Sequence, residues 1–247
     1  MNYQLKGTSR IPALVIFLID VSASMGQPLG NKTRIEVVID DLRSIITGMV
    51  HRSTRGSVIS PRYHIEIFVY TDEAHSLLGG IQPINQVAER GVPRLMPKAT
   101  TNTALGFAKV EELLQREIHK YAHCPAPLVC HLTDGEYTGD DPEPVARRIM
   151  QLNVPDGPVL IENIFISDAM LPNPIIDPQQ WPGVLPGTPL GSDYARKLRA
   201  MSSTLPESYR AMMQEEAYHI SPNALMLLPG TSPELVKMGF VMAGATR

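Results

Sequence analysis

Residues 13–19 read ALVIFLI, and the next residues are Asp20, Val21 and Ser22. This run of seven apolar residues is shorter than a typical helix and shows no polar alternation, so it predicts a strand that is buried on both faces. Strands of that kind lie in the middle of a parallel sheet that has helices on both sides. An aspartate directly after such a strand lies at the carboxyl edge of the sheet, where α/β folds bind their ligands.

The rest of the chain alternates between short apolar runs and amphipathic segments. In residues 34–50, Ile35, Val38 and Leu42 recur at the spacing of one helix face. The alternation predicts a doubly wound α/β fold with a mostly parallel central sheet, helices on both faces and one antiparallel edge strand at residues 74–78. The other predicted strands are residues 64–70, 128–132, 159–166 and 224–228, and the other predicted helices are residues 103–121, 144–152, 192–201, 207–217 and 233–242.

Length and composition are those of an ordinary globular protein. The chain has 247 residues, of which 43% are apolar, and a net charge of −3. This composition excludes a disordered or coiled-coil chain, and the absence of a basic excess argues against nucleic-acid binding. Two cysteines cannot form a disulfide framework. We expect one domain over residues 1–247, with a proline-rich insertion at residues 171–192.

The first apolar run is too short to cross a membrane, which takes about 20 residues. Lys6 and Arg10 precede this run, as basic residues do in a secretory signal peptide. However, Pro12 and the aspartate that ends the run favour a buried strand over a cleaved leader. We therefore expect a cytoplasmic protein that does not contact a membrane.

Side chains that carry oxygen cluster in three predicted loops at the carboxyl edge of the sheet. Asp20, Ser22 and Ser24 follow the first strand, Asp134 follows a later one, and Thr103 begins a helix. Hard cations such as Mg²⁺ take carboxylate and hydroxyl ligands, and these segments contain no histidine or cysteine. In an extended chain Asp20, Ser22 and Ser24 would share one face but would be spread over about 13 Å along the strand, so a common ion requires the chain to curl directly after the strand. Convergence of the three loops would therefore create a site for a hard divalent cation.

Three motifs carry a family resemblance. Asp-x-Ser-x-Ser at residues 20–24, Thr-x-Leu-Gly-x-Ala at residues 103–108 and Leu-Thr-Asp-Gly at residues 132–135 resemble the metal-ion-dependent adhesion site of von Willebrand factor type A domains. The resemblance covers residues 11–170 and implies a Mg²⁺ or Mn²⁺ ion. The ligands that it implies are Ser22, Ser24 and Thr103 in direct contact with the metal, and Asp20 and Asp134 in direct or water-mediated contact.

The chain departs from the family pattern just before the threonine ligand. The family commonly has a glycine pair there, and this chain has Thr101 and Asn102. This departure leaves Thr100 and Thr101 as alternatives to Thr103, and the sequence does not choose among the three.

The chemistry of such a site indicates its use. If hydroxyls make most of the direct contacts, little negative charge touches the ion, and the ion remains electrophilic. An aspartate or glutamate from a partner protein would complete its coordination, so we expect a metal-dependent protein-binding module and not an enzyme. The chain is also similar to stand-alone bacterial proteins of the TerY tellurium-resistance family. That similarity implies a scaffold in a stress or signalling system, beside a kinase, phosphatase or ATPase, although a fold does not determine a function.

The main alternative is a Mg²⁺- or Mn²⁺-dependent phosphoester hydrolase. Such an enzyme needs a general acid or base beside the metal, and the nearby candidates are Glu136, Asp140 and Asp141. A haloacid-dehalogenase-like phosphatase is disfavoured because Ser22 stands where its second aspartate belongs. Residues 26–33 contain two glycines and a lysine, but not at the spacing of a phosphate-binding P-loop.

A zinc site is also disfavoured. His123 and Cys124 lie close in sequence to Cys130 and His131, but two prolines separate the pairs and the second pair falls in a predicted buried strand. We expect Cys130 to be packed in the core.

Residues 171–192 contain six prolines and the single tryptophan, Trp181. A loop of this length inside a compact domain is usually functional or disordered. It follows the strand that ends near Asp168, which places it at the edge that carries the predicted metal site. We therefore predict that it shapes the partner surface or covers the site, with Trp181 as its contact residue.

Overall fold

The structure, a computed structural model, describes residues 3–91, 95, 97, 101–135 and 137–244. Its centre is a seven-stranded sheet. The strands are β1 Ala13–Asp20, β2 Tyr63–Tyr70, β3 Ala74–Ser76, β4 Gln82–Pro83, β5 Leu128–Thr133, β6 Leu160–Phe165 and β7 Leu227–Pro229. Their spatial order is β7-β6-β5-β1-β2-β3, and β4 also pairs with β2.

Strand β1 is the buried centre of this sheet, as the apolar run predicts. All of its residues are buried, and it pairs in parallel with β2 on one side and with β5 on the other. Strands β6 and β7 continue the parallel arrangement beyond β5. Strands β3 and β4 run antiparallel to β2. The predicted mostly parallel sheet with an antiparallel edge strand is therefore confirmed.

The helices that the structure describes lie between these strands in the chain, except that the last helix follows the last strand. They are α1 Arg34–Ser53, α2 Ile84–Arg90, α3 Thr103–Glu117, α4 Glu143–Ile149, α5 Asp193–Ala200, α6 Glu207–Glu215 and α7 Pro233–Ala243. Within the described ranges, none of them combines the length and the apolar character that crossing a bilayer takes.

The helices form a layer on each face of the sheet. Helices α1, α2, α6 and α7 cover the face that includes Phe17 and Ile164. Helices α3 and α4 cover the opposite face, which includes Ile16 and Val129. Successive residues of β1 thus enter different layers, which is why that strand has no polar side.

Short elements differ most from the sequence prediction. Helix α2 is not predicted, because its seven residues are too few to establish a helical period. It begins after Pro83 and ends before Gly91, whose φ is +72°. Strand β7 starts later than the predicted residue 224, because Ala224 and Leu225 bond instead to Leu205 and Val184.

The proline-rich segment is packed against the domain. The amide of Leu225 donates to the carbonyl of Val184 at 2.7 Å, and the amide of His219 donates to the carbonyl of Gln179 at 2.8 Å. Val184 is fully buried, and Trp181 is partly buried against two apolar clusters of the chain itself. The proposed contact between Trp181 and a partner stays a prediction.

Candidate metal centre

Asp20 ends β1 and is completely buried. Its Oδ1 accepts a hydrogen bond from the amide of Ser22 at 2.8 Å, and its Oδ2 accepts one from Thr133 Oγ1 at 2.9 Å. Burial raises the pKa of Asp20 to about 6, although the bonds from Ser22 and Thr133 oppose the shift, and the nearby charge of Asp134 adds to it. A buried carboxylate with a second carboxylate beside it is an environment that a cation would stabilise.

The two serines that follow are brought together by a tight turn. A short 3₁₀ helix, Ala23–Gly26, begins two residues beyond β1, after Val21 and Ser22, and the amide of Met25 donates to the carbonyl of Ser22 at 3.1 Å. This is the curl that a shared ion requires. The hydroxyl oxygens of Ser22 and Ser24 lie 3.0 Å apart as a result.

Asp134 joins this turn from the other side of the site. It follows β5, and its Oδ1 accepts a hydrogen bond from Ser24 Oγ at 2.7 Å. The loops after β1 and β5 therefore meet at the carboxyl edge of the sheet, as their positions next to each other in the sheet predict.

The second carboxylate oxygen of Asp134 bonds to Arg34, a residue that the sequence motifs do not indicate. Arg34 Nη1 lies 2.7 Å from Asp134 Oδ2. Arg34 is the first residue of α1, and Thr33 and Glu36 fix the start of that helix with a reciprocal capping box. The only advance signal is the position of Arg34 directly after a capping threonine, and that position does not predict an ion pair.

Thr103 is the first residue of α3 and is completely buried. Its Oγ1 forms no hydrogen bond of normal length and angle with any residue that the structure describes, and its neighbours are the hydroxyls of Tyr70 and Tyr194. The amide of the preceding Asn102 donates to the carbonyl of Thr71, just after β2, at 2.6 Å, which ties the start of α3 to the same edge of the sheet. A buried hydroxyl without a partner costs free energy unless a ligand uses it.

The structure describes only one of the two threonines that are alternatives to Thr103 as the metal ligand. The carbonyl of Thr101 accepts hydrogen bonds from the amide of Thr138 at 2.8 Å and from its hydroxyl at 2.7 Å, so this residue is tied to the loop after β5. Thr100 lies outside the described residues.

A buried polar network underlies the centre. The hydroxyl of Tyr70, the last residue of β2, lies 2.7 Å from His131 Nε2, and His131 Nδ1 lies 2.7 Å from Asn163 Oδ1. Because Asn163 Oδ1 can only accept, Nδ1 of His131 carries the hydrogen and Nε2 accepts from Tyr70. Burial lowers the pKa of His131 to about 4, so the imidazole is neutral at physiological pH.

This network also bears on the disfavoured zinc site. His131 is fully used in the network, and Cys124 and Cys130 are buried in apolar clusters on opposite faces of the sheet. In the part of the chain that the structure describes, no three His, Cys, Asp or Glu side chains are grouped to hold a metal. The expected core position of Cys130 is confirmed.

The donor set suits a hard cation. It consists of two carboxylates and hydroxyls, with the partnerless oxygen of Thr103 as the observation that calls for a ligand. Hydroxyl and carboxylate oxygens are the ligands that Mg²⁺ and Mn²⁺ take. Of the candidate acids for hydrolysis, Asp141 is paired with Lys197 at 2.7 Å, and Glu136 lies outside the described residues.

Comparison with known proteins adds to this picture at the level of the fold. No protein-family model matches the sequence, and no curated protein matches it. The PilB minor pilin from Streptococcus sanguinis has a similar structure, with 12% sequence identity, a TM-score of 0.58, and coverage of 96% of this chain and 60% of that chain.

Two further solved structures match over part of the chain. The vWF domain of the type V pili tip protein Mfa5 from Porphyromonas gingivalis is 20% identical, with a TM-score of 0.40, over 52% of this chain and 39% of that chain. Proximal thread matrix protein 1 from the mussel byssus, with a zinc-occupied MIDAS motif, is 17% identical, with a TM-score of 0.44, over 65% of this chain and 37% of that chain. At such identities the likeness is one of fold.

Proposed function

We propose that the chain, whose fold is that of von Willebrand factor type A domains, is a metal-dependent protein-binding module. The observation that carries the proposal is the meeting of two loops in hydrogen-bond contact, Ser22 to Ser24 to Asp134, beside the buried carboxylate of Asp20. The partnerless hydroxyl of Thr103 supports the same reading.

We assign the metal to Ser22, Ser24 and Thr103 as direct ligands, with Asp20 and Asp134 as direct or water-mediated ligands. Thr103 is preferred to Thr101 because its buried hydroxyl lacks any partner among the described residues. The oxygen donors favour Mg²⁺ or Mn²⁺ as the native ion. A bound ion would supply an electropositive position at the edge of the sheet.

The residues of this chain determine what such a position can bind. Hydroxyls bring no charge, and the two carboxylates already bond to Ser22, Thr133, Ser24 and Arg34. Two carboxylates match the charge of a divalent ion, but the positive charge of Arg34 offsets one of them, so the site as a whole would stay positive. We propose that an aspartate or glutamate of a partner protein completes the balance, and that the chain serves as a scaffold for a kinase, phosphatase or ATPase of a bacterial stress or signalling system.

The first test is metal binding by the purified full chain. Titration calorimetry with Mg²⁺ and Mn²⁺ should show one site, and Asp20→Ala, Ser24→Ala and Asp134→Ala should each weaken binding by at least about tenfold. Ser44→Ala is the matched control, because Ser44 is exposed on α1, and it should bind as the native chain does. Circular dichroism would confirm that each variant is folded. Equal affinity in all four variants would contradict the site assignment.

The second test concerns the partner. Capture from native cell extract with the tagged chain should retain a partner in Mg²⁺ and lose it in EDTA, and Asp20→Ala should fail to retain it in either buffer. The same capture in all conditions would contradict a partner carboxylate on the metal. If no partner binds but phosphoesters are turned over with Mg²⁺ or Mn²⁺ and not by Asp20→Ala, the chain is the alternative hydrolase.

A further inference from the structure

Both carboxylate oxygens of Asp134 are occupied by the chain itself. Oδ1 accepts from Ser24 Oγ, and Oδ2 lies 2.7 Å from Arg34 Nη1. The Asp134 side chain is fully buried, whereas the Arg34 side chain is 24% exposed. The guanidinium therefore lies beside the buried carboxylate and already supplies a positive charge to it.

The backbone brings Arg34 to this place. After the 3₁₀ turn, Pro28–Leu29 pairs with Lys32–Thr33 in a tight hairpin, which returns the chain toward the site. The amide of Arg34 then donates to the carbonyl of Gln27 at 2.9 Å. The position of the guanidinium therefore follows from the same loop that presents the two serines.

The ion pair between Arg34 and Asp134 lacks the geometry of the strongest arginine–carboxylate pairs. Arginine binds carboxylates most strongly through two parallel hydrogen bonds, and here one guanidinium nitrogen bonds to Asp134. Arg34 Nε is buried and has no partner among the described residues, which is costly for a charged donor. A cation that bonds better to the carboxylate can replace such a contact.

We infer that Arg34 is the counter-ion of Asp134 in the metal-free site and competes with the divalent cation for that carboxylate. Two cations close to one carboxylate repel each other, and each gains less from it in the presence of the other. Arg34 therefore stabilises the metal-free site and lowers its metal affinity. The inference rests on the proposed metal site and adds to it the residue that sets the affinity.

Titration calorimetry with Mg²⁺ on the full chain tests this inference. Arg34→Met removes the charge and keeps the length, and it should bind Mg²⁺ at least about fivefold more tightly than the native chain. Arg34→Lys keeps the charge and should bind close to the native affinity. Arg43→Met is the matched control on the same helix, because Arg43 pairs with Asp40 at 3.8 Å on the half-exposed surface, and it should leave the affinity unchanged.

Two further readouts separate competition from a structural role. Without metal, Arg34→Met should melt at a lower temperature than the native chain, and saturating Mg²⁺ should close that gap. In an Asp134→Asn background, Arg34→Met should no longer tighten binding, because the shared carboxylate is gone.

The outcomes distinguish a failure of the inference about Arg34 from a failure of the proposed metal site. If the native chain binds Mg²⁺ but Arg34→Met binds it equally or more weakly, the inference is wrong and the metal site stands. If neither the native chain nor any Arg34 variant binds Mg²⁺ or Mn²⁺, the proposed function is wrong and the inference with it.

Discussion

Glu162 is an acidic residue in the middle of β6, where the sheet is covered on both faces. It is completely buried, and among the described residues neither of its carboxyl oxygens forms a hydrogen bond of normal geometry, so the thiol of Cys130 is its nearest donor. The residue that faces it on β5 is Cys130, whose thiol is a weak donor. Burial therefore raises the pKa of Glu162 well above its ordinary value.

The pH dependence of stability follows from this shift. The folded chain keeps a proton on Glu162 that the unfolded chain releases above its ordinary pKa of 4.5, so the free energy of unfolding falls as pH rises above that value. Glu162→Met should remove this contribution and raise the free energy of unfolding at pH 7 by about 2 kcal/mol. Urea unfolding at pH 5 and pH 8 would measure it, and the gain should be larger at pH 8.

Glu66 provides the matched comparison for this prediction. It is also buried in a strand, but its Oε1 accepts hydrogen bonds from the Ile67 amide and from Ser76 Oγ, both at 2.8 Å. Glu66→Met should lose these bonds and give no stabilisation. Equal stabilisation by both substitutions would mean that missing hydrogen bonds do not explain the cost of Glu162.

Single residues also show how far the sequence determines the site. Asp20, Ser22 and Ser24 are recognisable because one local pattern, a buried strand followed by polar residues, contains all three. Arg34 is not, because its bond to Asp134 joins positions 100 residues apart. That bond depends on where α1 begins relative to the end of β5, which no local pattern records.

Packing of α7 against β6 tests the layer arrangement. A Cβ on Gly239 would meet the side chain of Ile164, with Cγ1 only 2.7 Å away. Because the branched side chain of isoleucine has little room to move in a packed core, Gly239→Ala should lower the free energy of unfolding by about 1–3 kcal/mol. Thermal or urea unfolding of the metal-free chain would measure this loss.

The control for that prediction is Gly48, a helical glycine that does not contact the sheet. Near Gly48 in α1, a Cβ would meet only Arg52 Nη1, at 3.4 Å. Gly48→Ala should therefore raise the free energy of unfolding by about 0.5–1 kcal/mol, because alanine is the better helix former. If both variants lose a similar free energy of unfolding, close packing of α7 does not explain the loss in Gly239→Ala.

A helix or strand is predictable from the sequence when its apolar residues recur at a regular spacing. Helix α1 has 20 residues and an apolar stripe, so its existence follows from spacing alone. Helix α2 is not predictable because seven residues are too few to establish a helical period, and the start of β7 is not predictable because partners elsewhere in the chain set it. Leu225 is an example, since it bonds to Val184 and not to the neighbouring strand.

The fluorescence of one residue can report whether the whole chain unfolds as a single cooperative unit. Trp181 is the single tryptophan, and it lies in the proline-rich segment. That segment is bonded to residues next to β7 and buries Val184. The segment should therefore unfold together with the sheet and not before it.

Two signals followed in one titration test this expectation. Tryptophan fluorescence reports on the segment, and far-ultraviolet circular dichroism reports on the helices and the sheet. In urea, both should give one transition with the same midpoint, since coincident transitions are the mark of a single cooperative unit. Saturating Mg²⁺ should move both midpoints upward together, because a ligand that binds only the folded chain stabilises all that unfolds with its site. A fluorescence change at lower urea would instead make residues 171–192 a separate, weakly attached segment that moves independently of the sheet.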